Sequence, residues 1–337
     1  EPGQYALEAL WALTLIDAFD PAAFEAAINH PNPAVRMWAI RLVGDNDHPT
    51  KTHVDKIAAI ITTELHPEVL SQAISSAARF PADAAMRLLT ILTQHQIVHS
   101  SPDFERVLWW ALEPFYSTHP DRFLDVFIEL ATARPSAPPS TLVEFAMRRM
   151  ARAGEPADLL RCASLLRSAN HPTWETPIII GFEEAFKGRS MAGLPSALTT
   201  ALANTSQPPI SLLLRLDLET YLDAALTQLQ SPATDLITRT QILDVLSETR
   251  IKAARSLLVR LLSESDETLL PSLLATLQIY EDRQIARAVI DQMSAWQGPT
   301  RDAAEGLLTS RLAWSRIWTE SMDPSSAQST SVTALAQ

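Results

Sequence analysis

The chain has 337 residues, of which 47% are hydrophobic and 7% aromatic, and its net charge is −12. That length and apolar fraction suffice for a substantial core in one to three domains. The acidity, with only Lys51, Lys56, Lys187 and Lys252 as lysines, argues against nucleic acid as a partner, because a phosphate-binding surface needs a basic stripe and none is visible.

Leu and Ala dominate, Gly is scarce at 8 and Pro common at 23, as expected of helices joined by short, proline-started connections. The first hairpin is expected over Pro2 to Ile28, with Trp11 on a Leu/Ala stripe. Val35, Trp38, Ala39, Leu42 and Val43 follow at i, i+3, i+4, i+7 and i+8, one face of a helix. Val54, Ile57, Ala58, Ile61 and Leu65 form the next stripe, and Ala254, Leu257, Leu258, Leu261 and Leu262 repeat the pattern late in the chain. His30-Pro31, His48-Pro49, His66-Pro67, His119-Pro120 and His171-Pro172 fall between stripes and mark turns. No alternating stretch argues for a strand.

His95 and His99 stand at i, i+4, a spacing that can hold a metal on a helix. No Glu lies between them and Ser100-Ser101-Pro102 follows, so a polar helix end is the reading and no metal is assigned. Trp109 and Trp110 are adjacent, and Trp314 and Trp318 share a face at i, i+4. Packing inside the stack or sealing of its end is the favoured reading of these four, and partner binding on an inner face is the other, which makes them the candidate partner-binding residues. Cys162 lies in a Leu/Ala-rich helical stretch and reads as a small buried hydrophobe. A single cysteine excludes an internal disulfide. Glu183 and Glu184 read as solvated charges near a helix start, with Arg189 as a neighbour, because adjacent positions point about 100° apart and form no dyad.

About twenty helices, hence about ten antiparallel hairpins, are expected. Pro33, Val35, Ala39 and Ile40 recur as Pro67, Val69, Ala73 and Ile74, an offset of 34. Glu248, Arg250 and Ala253 recur as Glu281, Arg283 and Ala286, an offset of 33. Repetition at this period points to an all-α, right-handed α-solenoid of HEAT/armadillo-like hairpins. A single array is expected over 1–322, with breaks at Ser136–Ser140, Asn170–Pro177 and Gln207–Pro209 and a bend placed near 136–140 or 170–177. A Ser/Thr-rich linker to a further C-terminal module is expected over 323–337, where Val332, Leu335 and Ala336 look like another helix start. No apolar run approaches the roughly 20 residues of a membrane-spanning helix. Glycine-rich phosphate loops and the common hydrolase and zinc-protease motifs are missing from the sequence, so this segment is read as non-catalytic and without a cofactor of its own.

The segment His30-Pro31-Asn32-Pro33-Ala34-Val35-Arg36 through Val43 resembles the start of a HEAT-repeat helix. A wider series covers most of the chain: Ala9-Leu10-Trp11-Ala12-Leu13, Phe19-Asp20-Pro21-Ala22, the Pro33 and Pro67 helices, then Arg301 through Arg311 followed by Leu312-Ala313-Trp314. Its order is similar to the HEAT-repeat region of planctomycete-type multidomain proteins that resemble membrane-bound dehydrogenases. In that family a sugar-dehydrogenase-like propeller precedes the helices and a cytochrome c module with Cys-x-x-Cys-His follows them. Neither is found in these 337 residues. The resemblance implies a scaffold and interaction segment of a redox protein of the periplasm or cell envelope, with other domains of the parent chain or a partner protein as its contacts. It also implies a gene that continues past Gln337, in keeping with a chain that opens Glu1-Pro2-Gly3. The alternatives are a free-standing adaptor that grips a peptide along its concave face, and a HEAT-like enzyme such as a DNA glycosylase, which the acidity opposes, or a bilin lyase.

Overall fold

The computed structural model describes residues 2–46, 49–169 and 171–322. The expected linker at 323–337, with its helix start at Val332, Leu335 and Ala336, lies outside the described residues, as does His48 of the His48-Pro49 junction. All regular structure among the described residues is helical: twenty α-helices and three short 3-10 turns, with no strand. The all-α expectation and the helix number are met. The chain divides into two compact units, residues 1–189 with 193–207 and residues 190–192 with 208–337.

The first unit opens with α1 (Pro2–Leu15), α2 (Pro21–Ile28), α3 (Pro33–Asp45) and α4 (Lys51–Thr63). It continues through α5 (Pro67–Ala77), α6 (Ala82–Gln94), α7 (Pro102–Thr118) and α8 (Pro120–Ala133). It ends with α9 (Ser140–Ala153), α10 (Pro156–Ser168), α11 (Pro172–Phe186) and α12 (Ser196–Ala203). Proline is the first residue of seven of these twelve helices apart from α1, at 21, 33, 67, 102, 120, 156 and 172, where its missing N–H costs no intrahelical bond. Side-chain caps complete several starts: Asp20 accepts from the Ala23 amide at 2.8 Å, and Asn32 from Ala34 at 2.9 Å. Gly154 stops α9 in the left-handed conformation, φ 76°.

Helices of this unit pack in two series. Odd-numbered α1 lies on α3, α3 on α5, and so on to α11, while α2 lies on α4 and the even series runs on to α12. The apolar stripes meet between the series, so Val35, Ala39, Ile57, Ile61, Val69, Leu88 and Leu89 are buried. Two glycines set the closest approaches. A Cβ on Gly181 of α11 would lie 2.3 Å from the Glu144 carbonyl oxygen of α9, and one on Gly44 of α3 would lie 2.6 Å from Ser76 Cβ of α5.

One ion pair ties successive loops. Arg36, the arginine of the Val35-Arg36 step, meets both carboxylate oxygens of Glu64 at 2.8 Å and donates to the His30 and Pro31 carbonyls at 2.8 and 3.0 Å. Glu64 also accepts from the Leu65 and His66 amides. Burial by itself would raise the Glu64 carboxyl. The bonds from Arg36, His66 and Leu65 outweigh it and hold the group below its ordinary 4.5.

The second unit holds α13 (Ile210–Leu216), α14 (Leu218–Gln230), α15 (Leu236–Thr249) and α16 (Arg255–Glu264). It closes with α17 (Leu270–Leu277), α18 (Arg283–Gln292), α19 (Gly298–Thr309) and α20 (Leu312–Met322). Here α13, α15, α17 and α19 pack in series, as do α16, α18 and α20. Leu243, Leu258, Leu274, Ile285, Leu307 and Trp314 belong to its continuous core. The Thr276 hydroxyl donates to the Leu243 carbonyl at 3.4 Å and Thr300 to the Glu267 carbonyl at 3.4 Å, each spanning 33 residues. The offset of 33 to 34 is thus the step from α3 to α5 and from α15 to α17.

Several expectations are corrected. Leu65 lies beyond α4 and is exposed, because the helix ends at Thr63 and the chain turns there to let Glu64 reach Arg36. Residues 172–177 are not a break: Pro172 starts α11 and Pro177 lies inside it, where it is buried. The 136–140 stretch does fall largely in the connection before α9, and 207–209 in the one before α13. Glu183 and Glu184 stand near the end of α11, not its start, and Arg189 donates to the Ala185 carbonyl at 3.3 Å while lying over Phe186.

Candidate functional site

The aromatic pair Trp109-Trp110 stands at the centre of the most distinctive surface feature. On α7, Arg106, Trp109, Trp110 and Glu113 fall at i, i+3, i+4 and i+7, so one face carries all four. On α9, Phe145, Arg148, Arg149 and Arg152 repeat that spacing. Because α7 packs on α9, the two stripes face each other across a groove of about 410 Å³.

Trp109 forms the floor. It is half-buried, edge-on to Phe123 of α8 with centroids 6.1 Å apart, and tilted against Phe145 at 5.7 Å. Trp110 forms the rim and is 70% exposed. Among the cations, Arg149 donates to Glu113 at 2.6 Å and to the Ser117 hydroxyl at 3.1 Å, and its guanidinium lies 4.7 Å from the Tyr116 ring centre. Arg148 pairs with Glu144 through one terminal nitrogen, while its Nε is enclosed without an acceptor. Arg106 pairs with Asp103. Arg152 is exposed and has no ion pair among the described residues.

A polar lattice behind the groove fixes it. Tyr116 of α7 donates to Asp158 of α10, and Arg161 bridges Asp158 at 2.9 Å and Asp121 of α8 at 2.8 Å. Burial first, then the Asp158 carboxylate, pushes the Tyr116 phenol well above its usual value, so it stays a neutral donor. Nearby, His99 contacts the Glu105 carboxylate at 3.3 Å through Nδ1 and the Thr93 carbonyl through Nε2, and Glu105 accepts from the Leu142 amide at 3.1 Å. His99 stands in the last turn of the 96–100 helix, in keeping with a polar helix end, and is a buried structural tie between α6, that turn and α7.

The other two tryptophans do not join this site. Trp314 is 1% exposed and packs in the core of the second unit, which agrees with the packing reading and leaves it no face for a partner. Trp318, one turn on, is partly buried against the same core. Cys162 is fully enclosed, and burial pushes its thiol far up, in keeping with a small core residue. Among the described residues no three His, Cys, Asp or Glu side chains gather as a metal-ligand set, and no helix is long and apolar enough to cross a membrane.

A larger groove of about 560 Å³, of mixed lining, lies among α10, α11 and α12. Its carboxylate, Glu175, is already engaged by the Ser206 amide at 2.8 Å and by the Ser206 hydroxyl. Of the α7–α9 groove, the sequence reading caught Trp109 and Trp110 and missed the four arginines. The signal was present in the matching i, i+3, i+4, i+7 spacing of 106–113 and 145–152. Nothing local shows that the two stripes face each other. No protein-family model matches the chain, and no curated protein matches it either.

Proposed function

We propose that this chain is a non-catalytic scaffold, a HEAT-like right-handed α-solenoid that holds other protein parts at a set separation. The observation that carries the reading is the stepwise packing of helices, with ion pairs repeated at that step. Lys56 of α4 pairs with Glu25 of α2 at 2.9 Å, Arg87 of α6 with Asp55 of α4, Arg122 of α8 with Asp83 of α6, and Arg161 of α10 with Asp121 of α8 at 2.8 Å. Each cation reaches back one hairpin to an acid on the same series. Every such bond is exposed in part, so solvent screens it and each contributes little by itself. Together they set the register of each hairpin on the last, as nearest-neighbour terms do in repeat proteins.

In this reading the partners are other domains of a parent chain or a separate protein, not nucleic acid, and the segment needs no cofactor. On the resemblance to dehydrogenase-like proteins, the parent would work in the cell envelope and this segment would lie between its propeller and its haem module. The gene tests that context. A reading frame that encodes Cys-x-x-Cys-His after Gln337, with a Soret band in the full-length protein and none in this segment, supports the redox scaffold. A stop codon directly after Gln337, with no haem motif in the frame, overturns it. The free adaptor is then the better reading, and the exposed Trp110 beside arginines favours it.

A further inference from the structure

We propose that the groove between α7 and α9 docks an acidic peptide that carries an apolar side chain. The proposal rests on the scaffold reading and names the chemistry of the partner. Charge is the first argument. In a chain of net charge −12, this groove is lined by four arginines and one carboxylate, Glu113. Asp103 and Glu144 stand beside it, and each engages a single terminal nitrogen, of Arg106 and of Arg148 respectively. A guanidinium offers five N–H donors in a planar fork, so both arginines keep donors for an incoming carboxylate. Arg152 is exposed with no ion pair among the described residues.

Shape is the second argument. Trp110 lies one helical turn from Arg106 and is 70% exposed. Behind it Trp109 is wedged between Phe123 and Phe145. The groove therefore presents an aromatic surface next to guanidinium forks, and Trp and Arg are enriched among the residues that dominate binding energy at protein interfaces. A basic partner meets the arginines with like charge. A nucleic acid brings an unbroken row of phosphates past Asp103, Glu113 and Glu144. A peptide spaces its carboxylates and sets an apolar side chain on Trp110.

The experiment uses the whole chain and a blocked, dye-labelled peptide of about ten residues, glutamates flanking one leucine, read by fluorescence anisotropy. The expected result is saturable binding that weakens as ionic strength rises from about 0.05 to about 0.5 M. Arg152→Glu, which removes no intramolecular ion pair, is expected to weaken it about tenfold, as is Trp110→Ala. Unchanged far-UV circular dichroism shows that both variants fold. No binding, equal binding of a lysine-flanked peptide, an affinity unmoved by Arg152→Glu, or tighter binding of an oligothymidylate each overturns the proposal. None of these outcomes alters what the gene encodes beyond Gln337, so the failure of this site and the failure of the redox scaffold are read separately.

Discussion

Trp174 and Trp11 carry the same side chain and are expected to differ in worth. Trp174 is wholly enclosed in α11, and its indole N–H donates to the Arg134 carbonyl at 2.9 Å. Trp11 of α1 is half-buried, edge-on to Trp38 at 5.1 Å, and its N–H is enclosed without an acceptor. Truncation of Trp174 to Ala is expected to cost about 3–5 kcal/mol, from lost contacts and the cavity left behind. Trp11→Ala is expected to cost about 1–3 kcal/mol, because less surface is lost and an unsatisfied donor goes with it. Urea denaturation of the two variants checks the order. Glu64 makes a second residue-scale case. Its carboxyl is held below 4.5 in the folded chain, so its contribution is complete above about pH 4.5 and is lost as pH falls through the depressed folded value. The stability gap between the wild type and Glu64→Gln is expected to narrow as pH is lowered from about 5 to about 3. A gap that stays constant over that range contradicts the assignment. Here the sequence was partly legible: the Val35-Arg36 step stood out as HEAT-like, but its acceptor lies 28 residues away.

Helix packing gives two glycines opposite signs. Gly181 of α11 has the Glu144 backbone of α9 where a Cβ would go, so Gly181→Ala is expected to destabilise by about 1–3 kcal/mol through forced separation of the two helices. Gly306 of α19 has nothing within 4 Å of that point, and Gly306→Ala is expected to stabilise by about 0.5–1 kcal/mol through helix propensity. Thermal denaturation of the pair decides it, and equal effects would refute the packing argument. In the sequence the two are both lone glycines inside apolar helical stripes. Elements themselves were legible where an apolar stripe met a proline start, as at Pro33, Pro67 and Pro120. They are not legible at 172–177, where proline reads as punctuation although α11 carries Pro177 in its body and buries it. The contacts of α11 with α9 and the enclosed Trp174 offset what Pro177 removes.

At the scale of the whole molecule, charge sets what the chain avoids. The arginines are spent mostly on carboxylates one turn or one hairpin away, as in Arg87 with Asp55, Arg161 with Asp121 and Arg215 with Glu248. The net charge of −12 repels phosphate, so a gel shift with duplex DNA at physiological salt is expected to show no complex, and micromolar, salt-sensitive binding would refute this. Composition, charge sign, helix content and the 33-to-34-residue step followed from the sequence alone, because propensity, apolar periodicity and proline starts act over a few residues. The tertiary structure decided the rest: that 106–113 and 145–152 line one groove, that Trp314 is core while Trp110 faces solvent, that His99 is a buried tie, and that contacts divide the chain near residues 190–208. Each depends on which faces meet across tens of residues of chain, and the energy of such a meeting is set by packing and charge pairing between helices, which no local pattern encodes.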